Sequence, residues 1–125
     1  MSESCEQKDL VSGRSFWFLW GLPMCAIALG VFVGGGGGLA RALLWTPAFA
    51  VMGGACVANA ARCGRLHCFI TAPVFLMAAV ASLLVGTGVL GIGWAWIGFG
   101  ALAGTVVAYV PEWIRGKYVE PAATG

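Results

Sequence analysis

Four long apolar runs constrain the fold of this chain more than any other feature. They cover residues 15–33, 42–60, 68–86 and 89–110, and none of them contains Asp, Glu, Lys, Arg or His. An α-helix of about 20 residues is long enough to cross the ~30 Å hydrocarbon core of a bilayer. The sequence therefore predicts an all-α membrane protein, built as a bundle of four transmembrane helices.

The composition agrees with a membrane protein and excludes several other classes. Hydrophobic residues make up 60% of the 125 residues and charged residues only 10%, against about 25% charged in a typical soluble domain. The lipid bilayer is thus the expected partner. A net charge of +2 gives no reason to expect a nucleic-acid partner. Five cysteines, an odd number, do not fit a secreted disulfide framework.

The breaks between the runs carry glycine and proline. Five consecutive glycines at 34–38 predict a flexible turn between the first and second helices. Pro23 predicts a kink in the first helix, Gly64 a left-handed cap on the second, and Pro111 the end of the fourth. The remaining segments, 1–14 and 111–125, are predicted to be polar tails.

The basic residues predict the orientation of the chain. With four spans, both tails and the break between the second and third runs share one side of the membrane. Six of the seven basic residues lie on that side, and only Arg41 lies on the other. The six are Lys8, Arg14, Arg62, Arg65, Arg115 and Lys117. Because short cytoplasmic segments are enriched in Lys and Arg, we expect both termini to be cytoplasmic.

One short polar segment, the hinge at residues 61–68, concentrates the chemistry. It contains the single histidine, His67, and two cysteines, Cys63 and Cys68. Thiolates together with an imidazole suit Hg(II), Cu(I) or Zn(II), so we predict a soft-metal site here. Cys56 lies two helical turns before Cys63, and Cys25 follows the kink in the first run. These two thiols are candidate ligands along a path that would carry the ion.

A second hypothesis is a non-catalytic membrane subunit or scaffold. Rows of small residues at four-residue spacing favour close helix packing, either within a homo-oligomer or against a partner subunit. The rows are Ala50, Gly54 and Ala58; Ala78, Ser82 and Gly86; and Gly100, Gly104 and Ala108. On this hypothesis the cysteines fill space and the hinge residues lie at the interface without a ligand. We expect no enzymatic activity, because the sequence has no Ser/His/Asp set and no carboxylate pair.

Two resemblances accompany these predictions. The hinge pattern Arg-Cys-Gly-Arg-x-His-Cys, within residues 59–73, resembles a stretch of small four-span bacterial inner-membrane proteins of unassigned function. The resemblance implies a bacterial inner (plasma) membrane location and no activity. More loosely, the chain is similar to mercuric-ion transport proteins, which implies that Cys25 in the first span and the Cys63/Cys68 pair pass Hg(II) inward. Met24 stands where those proteins carry the first cysteine of an adjacent pair.

Overall fold

A computed structural model describes residues 13–33 and 38–116, and this part of the chain forms four helices. They are α1 (Gly13–Val33), α2 (Gly38–Cys63), α3 (Leu66–Gly86) and α4 (Trp94–Arg115). Each is long and apolar enough to cross a membrane. No strand occurs in the described residues. The predicted all-α architecture with four membrane-length helices is confirmed.

Several predictions lie outside the described residues. They concern the polar tails at 1–12 and 117–125, with Cys5, and most of the glycine turn, at 34–37. The described end of that run, Gly38, is the first residue of α2. Gly13 and Arg14, which were predicted to lie in the N-terminal tail, belong to α1. Just before Pro23, residues Trp17–Gly21 form a π-helical turn, in which the Leu22 N–H donates to the Trp17 carbonyl.

The ends of α4 differ from the sequence prediction. The helix begins at Trp94, five residues after the start of the apolar run, because glycines at 91 and 93 disfavour a helix there. The prediction that Pro111 ends the helix is wrong, since α4 continues to Arg115. A proline removes one hydrogen-bond donor, but the following turn can still close. Glu112 is consequently a helical residue, and it is 8% exposed.

Within the hinge, two residues between α2 and α3 reverse the chain: Gly64 and Arg65. Gly64 has φ +65°, and its N–H donates to the Ala60 carbonyl, which confirms the predicted left-handed cap on α2. Arg65 is extended and precedes the first turn of α3. Because the connection is so short, α2 and α3 are antiparallel neighbours, and the first turn of α3 lies beside the last turns of α2.

The helices pack in chain order, with α2 and α3 at the centre. Trp45 of α2 donates from Nε1 to the Ile27 carbonyl of α1, and Arg41 donates from Nε to the Gly30 carbonyl. Phe49 of α2 stacks on Phe75 of α3 in the buried core. Among the described residues, α1 packs on α2 and not on α4. At the hinge end, three helices therefore meet: α2, α3 and α4.

The small-residue rows do not all serve packing inside the chain. Gly86 lies directly against Ala42 of α2, and a Cβ built at Gly104 would be 2.8 Å from a Val74 methyl of α3. These two glycines therefore permit close helix approach, as predicted. Gly54 and Gly100 are different, because a Cβ at either position would meet nothing within 4 Å. Their rows leave these positions uncovered in the single chain.

Candidate metal centre

Three soft ligands converge where α2, α3 and α4 meet. The ligand atoms of Cys56, His67 and Cys68 all lie within 4.8 Å of one another. Each of the three residues is 0% exposed. A cluster of two thiols and an imidazole, with no exposed member, is therefore built into the protein interior at the hinge end.

Local structure explains why these residues meet. Cys56 lies two turns before the end of α2, whereas His67 and Cys68 are in the first turn of α3. The short hinge folds that first turn back beside Cys56. One turn further along α3, the Thr71 hydroxyl donates to the Cys56 sulfur at 3.2 Å. The same hydroxyl oxygen lies 2.8 Å from the His67 carbonyl. This residue links the two helices at the cluster.

Glu112 of α4 orients the imidazole. Its Oε1 atom is 2.6 Å from His67 Nδ1 and also accepts the His67 backbone N–H at 3.2 Å. A carboxylate accepts hydrogen bonds, so it holds the proton on Nδ1 and leaves the Nε2 lone pair available. That Nε2 atom lies 3.5 Å from the Cys68 sulfur. The imidazole therefore presents its unprotonated nitrogen to the thiols, an arrangement typical of metal-binding histidines.

Two further contacts hold the His67–Glu112 pair in place. The Tyr109 ring stacks on His67, with centroids 4.4 Å apart and an interplanar angle of 14°. Arg65 Nε lies 3.3 Å from Glu112 Oε1, and its side chain is 11% exposed. Since the guanidinium neutralises the carboxylate, the Glu112 charge is not left uncompensated in a buried position. Asn59 of α2 is also buried and contacts the Cys68 thiol on α3, across the helix interface.

The structure places the predicted site residues in different surroundings. His67 and Cys68 lie together, as the hinge pattern predicted, but their thiol partner is Cys56. Cys63, at the last position of α2, is half-buried and is not one of the three converging ligands. Cys25 is exposed on α1 and is likewise outside the cluster. The cluster thus joins two hinge residues to a thiol that lies two turns further back in α2.

Glu112 was not among the site residues predicted from the sequence, although a spacing pattern in the sequence points to it. The row of small residues at Gly100, Gly104 and Ala108 reaches Glu112 when it is extended by one more step of four. The expected helix end at Pro111 cut the row short. Because α4 continues to Arg115, Glu112 follows Ala108 on the face that packs against α3. There it meets His67, which lies in the first turn of α3.

The spacing suits a metal ion. Bond lengths of about 2.3 Å to sulfur and 2.0 Å to nitrogen put the two ligand atoms about 3.5 Å apart in a tetrahedral site. The observed Cys68–His67 separation is 3.5 Å. Cys68, His67 and Glu112 also follow the order nucleophile, base and orienting carboxylate. Because the Cys68 side chain is 0% exposed, a large organic substrate could not reach its sulfur.

No protein-family model, curated protein or solved structure matches the chain.

Proposed function

We propose that this chain is an integral protein of the bacterial inner membrane that binds a soft metal ion, Hg(II), Cu(I) or Zn(II), at Cys56, His67 and Cys68. The observation that carries the proposal is the orientation of His67. Its Nδ1 is engaged by Glu112 at 2.6 Å, while Nε2 lies 3.5 Å from the Cys68 sulfur. A packing histidine needs no such polarity, whereas a metal ligand does.

Charge supports a divalent ion, and the ligand type supports a soft one. Two thiolates balance a divalent ion, and the Arg65–Glu112 pair is neutral as a whole. A loaded site then buries no net charge, which matters because uncompensated charge in a bundle interior is strongly unfavourable. The ligands are two sulfurs and one nitrogen, a set that favours soft and borderline ions over Mg(II) or Ca(II).

Passage of the ion across the membrane is the second part of the proposal. We place the cluster and both termini on the cytoplasmic side, because positive charges at the hinge end favour that orientation. Cys63 lies two turns beyond Cys56 along α2 and is half-buried. We assign it the exchange of ions between the buried cluster and cytoplasmic thiol carriers. Cys25, exposed on α1, has no assigned role in this pathway.

The test is metal titration of the reduced, detergent-purified protein with Hg(II), Cu(I) and Zn(II). Cys56→Ser/Cys68→Ser removes both sulfurs of the cluster, and Cys25→Ser/Cys63→Ser is the matched control with the same number of thiols. We expect tight stoichiometric binding in the wild type and the control, and its loss in the cluster variant. Equal binding by both double variants would refute the proposed site.

The scaffold hypothesis keeps one supporting observation, the uncovered row of Ala50, Gly54 and Ala58 on α2. Ala50 and Gly54 are exposed in the single chain. A partner helix could approach closely along such a row. Copurification of a stoichiometric membrane partner, lost on Gly54→Leu but kept in the cluster variant, would favour this function over metal binding.

A further inference from the structure

We propose that Cys56 and Cys68 form a reversible disulfide when hydrogen peroxide oxidises them, and that this disulfide switches off the metal site. The disulfide itself rests on the geometry of the two thiols. The loss of metal binding rests in addition on the proposed function. Both sulfurs belong to the cluster whose ligand atoms lie within 4.8 Å of one another.

The two thiols are placed on neighbouring antiparallel helices, so the disulfide would join α2 to α3. Both are 0% exposed, and the Cys68 thiol contacts Cys56 directly. Side-chain rotation about the Cα–Cβ bonds must bring the sulfurs from contact to the bonded separation of about 2.05 Å. Because the two sulfurs are neighbours in the cluster, oxidation of one thiol gives the other an immediate partner.

Cys68 is the thiol that attacks the peroxide. Its sulfur lies 3.5 Å from His67 Nε2, the nitrogen that Glu112 keeps unprotonated by holding the proton on Nδ1. We assign the attack to Cys68 because the imidazole beside it can take the thiol proton as the sulfur attacks. Cys56 instead accepts a hydrogen bond from Thr71 and faces Cys68, which suits it to the resolving role.

The reaction balances in two steps. The Cys68 sulfur attacks one peroxide oxygen as its proton passes to His67, the O–O bond breaks, and the hydroxide that leaves takes that proton to become water. Cys68 is now a sulfenic acid. The Cys56 sulfur then attacks the Cys68 sulfur, the S–S bond forms, the S–O bond breaks, and the hydroxyl leaves as water with the Cys56 proton. Two thiols are oxidised by two electrons in total, and one peroxide is reduced to two waters.

Peroxide suits a closed cluster because it is not much larger than water. A disulfide-exchange partner of protein size could not reach sulfurs that are 0% exposed. The other described thiols compete poorly for this disulfide. Cys63 and Cys25 do not belong to the group of converging ligands that contains Cys56 and Cys68. The structure consequently assigns the disulfide to a single pair.

The experiment treats reduced, metal-free protein in detergent with hydrogen peroxide and follows intact mass, alkylation and peptide mapping. We expect the wild type to lose the mass of two hydrogen atoms, to yield a Cys56–Cys68 cross-linked peptide, and to recover fully with a dithiol reductant. Cys56→Ser should instead accumulate a Cys68 sulfenic acid that dimedone traps. His67→Gln should slow oxidation by about tenfold or more, because it removes the base that takes the Cys68 proton during the attack.

The matched control is Cys25→Ser/Cys63→Ser, which should oxidise like the wild type. A cross-link through Cys25 or Cys63, or a wild type that keeps all its thiols, would overturn the proposed disulfide. Metal titration of the reduced protein is a separate measurement. Binding without a Cys56–Cys68 disulfide would refute this inference alone, and a disulfide without binding would refute the proposed function and leave no metal site to switch off.

Discussion

Replacing Glu112 by glutamine isolates the contribution of the orienting carboxylate. Glutamine has nearly the same shape and can still accept a hydrogen bond, but it carries no charge. In the wild type one oxygen, Oε1, serves three donors: His67 Nδ1 at 2.6 Å, the His67 backbone N–H at 3.2 Å and Arg65 Nε at 3.3 Å. Glu112→Gln therefore weakens all three contacts at once while leaving the three metal ligands in place.

The expected loss can be derived from these contacts. A hydrogen bond to a charged group contributes about 1.5–3 kcal/mol, and a neutral one about 0.5–1.5 kcal/mol. The difference at His67 Nδ1 is about 1–1.5 kcal/mol, which corresponds to roughly tenfold in affinity. Weaker orientation of the ring adds to this, and loss of such outer partners typically costs about 10–100-fold in metal affinity. We therefore expect Glu112→Gln to bind the metal about 10–100-fold more weakly.

The assay is competition against a chromophoric chelator in detergent, with thermal unfolding of the metal-free protein recorded for each variant. The unfolding control is needed because Glu112→Gln also leaves the Arg65 charge without its partner. Arg115→Gln is the matched control, since it removes one charge from the same helix at an exposed position. An affinity for Glu112→Gln within about twofold of Arg115→Gln would refute the argument that the carboxylate prepares His67 as a ligand.

Four other outcomes follow from the structure. Cys56→Ser should lower metal affinity by more than about 100-fold, beyond the usual loss for an outer partner, whereas Cys63→Ser should leave it unchanged in the same chelator competition. Thr71→Val removes the donor to the Cys56 sulfur and should cost about tenfold in affinity, again measured by competition. Gly104→Ala should destabilise the bundle by about 1–3 kcal/mol because its new methyl meets α3, while Gly54→Ala should be neutral; thermal unfolding in detergent separates the two, and equal stability would contradict the described α3–α4 contact. Affinity should fall as the pH falls, by about tenfold per pH unit for each proton that the metal displaces, and a pH-independent affinity would mean that no thiol is a ligand.

The helices could be predicted from the sequence because hydrophobic length alone determines them. Each apolar run is long enough to cross a bilayer, and the chain has no alternative way to satisfy its backbone in lipid. The glycine cap at Gly64 was predictable for a similarly local reason, since a left-handed residue suits the end of a helix. Helix ends that depend on tertiary packing were less predictable, as α4 shows at Pro111 and Glu112.

The cluster was only partly predictable. The sequence predicted a site of Cys63, His67 and Cys68 because these residues are close neighbours along the chain. The structure instead pairs the two hinge ligands with Cys56, since the short hinge folds α3 back along α2 and turns its first residues toward the preceding turns. Contacts across helices, such as that of Glu112 with His67, depend on the rotation of each helix about its axis. Small-residue rows indicate this rotation only loosely.

The buried polar groups at the hinge end also fit the physics of a bilayer. An ionisable side chain at the centre of the hydrocarbon is costly, and near a helix end the cost is much smaller. His67, Glu112 and Arg65 all lie within the first or last turns of α3 and α4, or immediately before them. The Glu112 carboxylate contacts both His67 and Arg65, so these buried polar groups have partners. Toward the other end of α3, by contrast, Ser82 is a weakly polar group, and its hydroxyl donates to the Ala78 carbonyl.

The most direct test of the central claim is X-ray absorption spectroscopy of the metal-loaded protein in detergent. For a zinc-loaded sample, the account predicts two sulfur neighbours at about 2.3 Å and one nitrogen neighbour at about 2.0 Å, with one sulfur lost in Cys56→Ser and the nitrogen lost in His67→Gln. A metal surrounded only by oxygen, or a spectrum that Cys56→Ser leaves unchanged, would contradict the account.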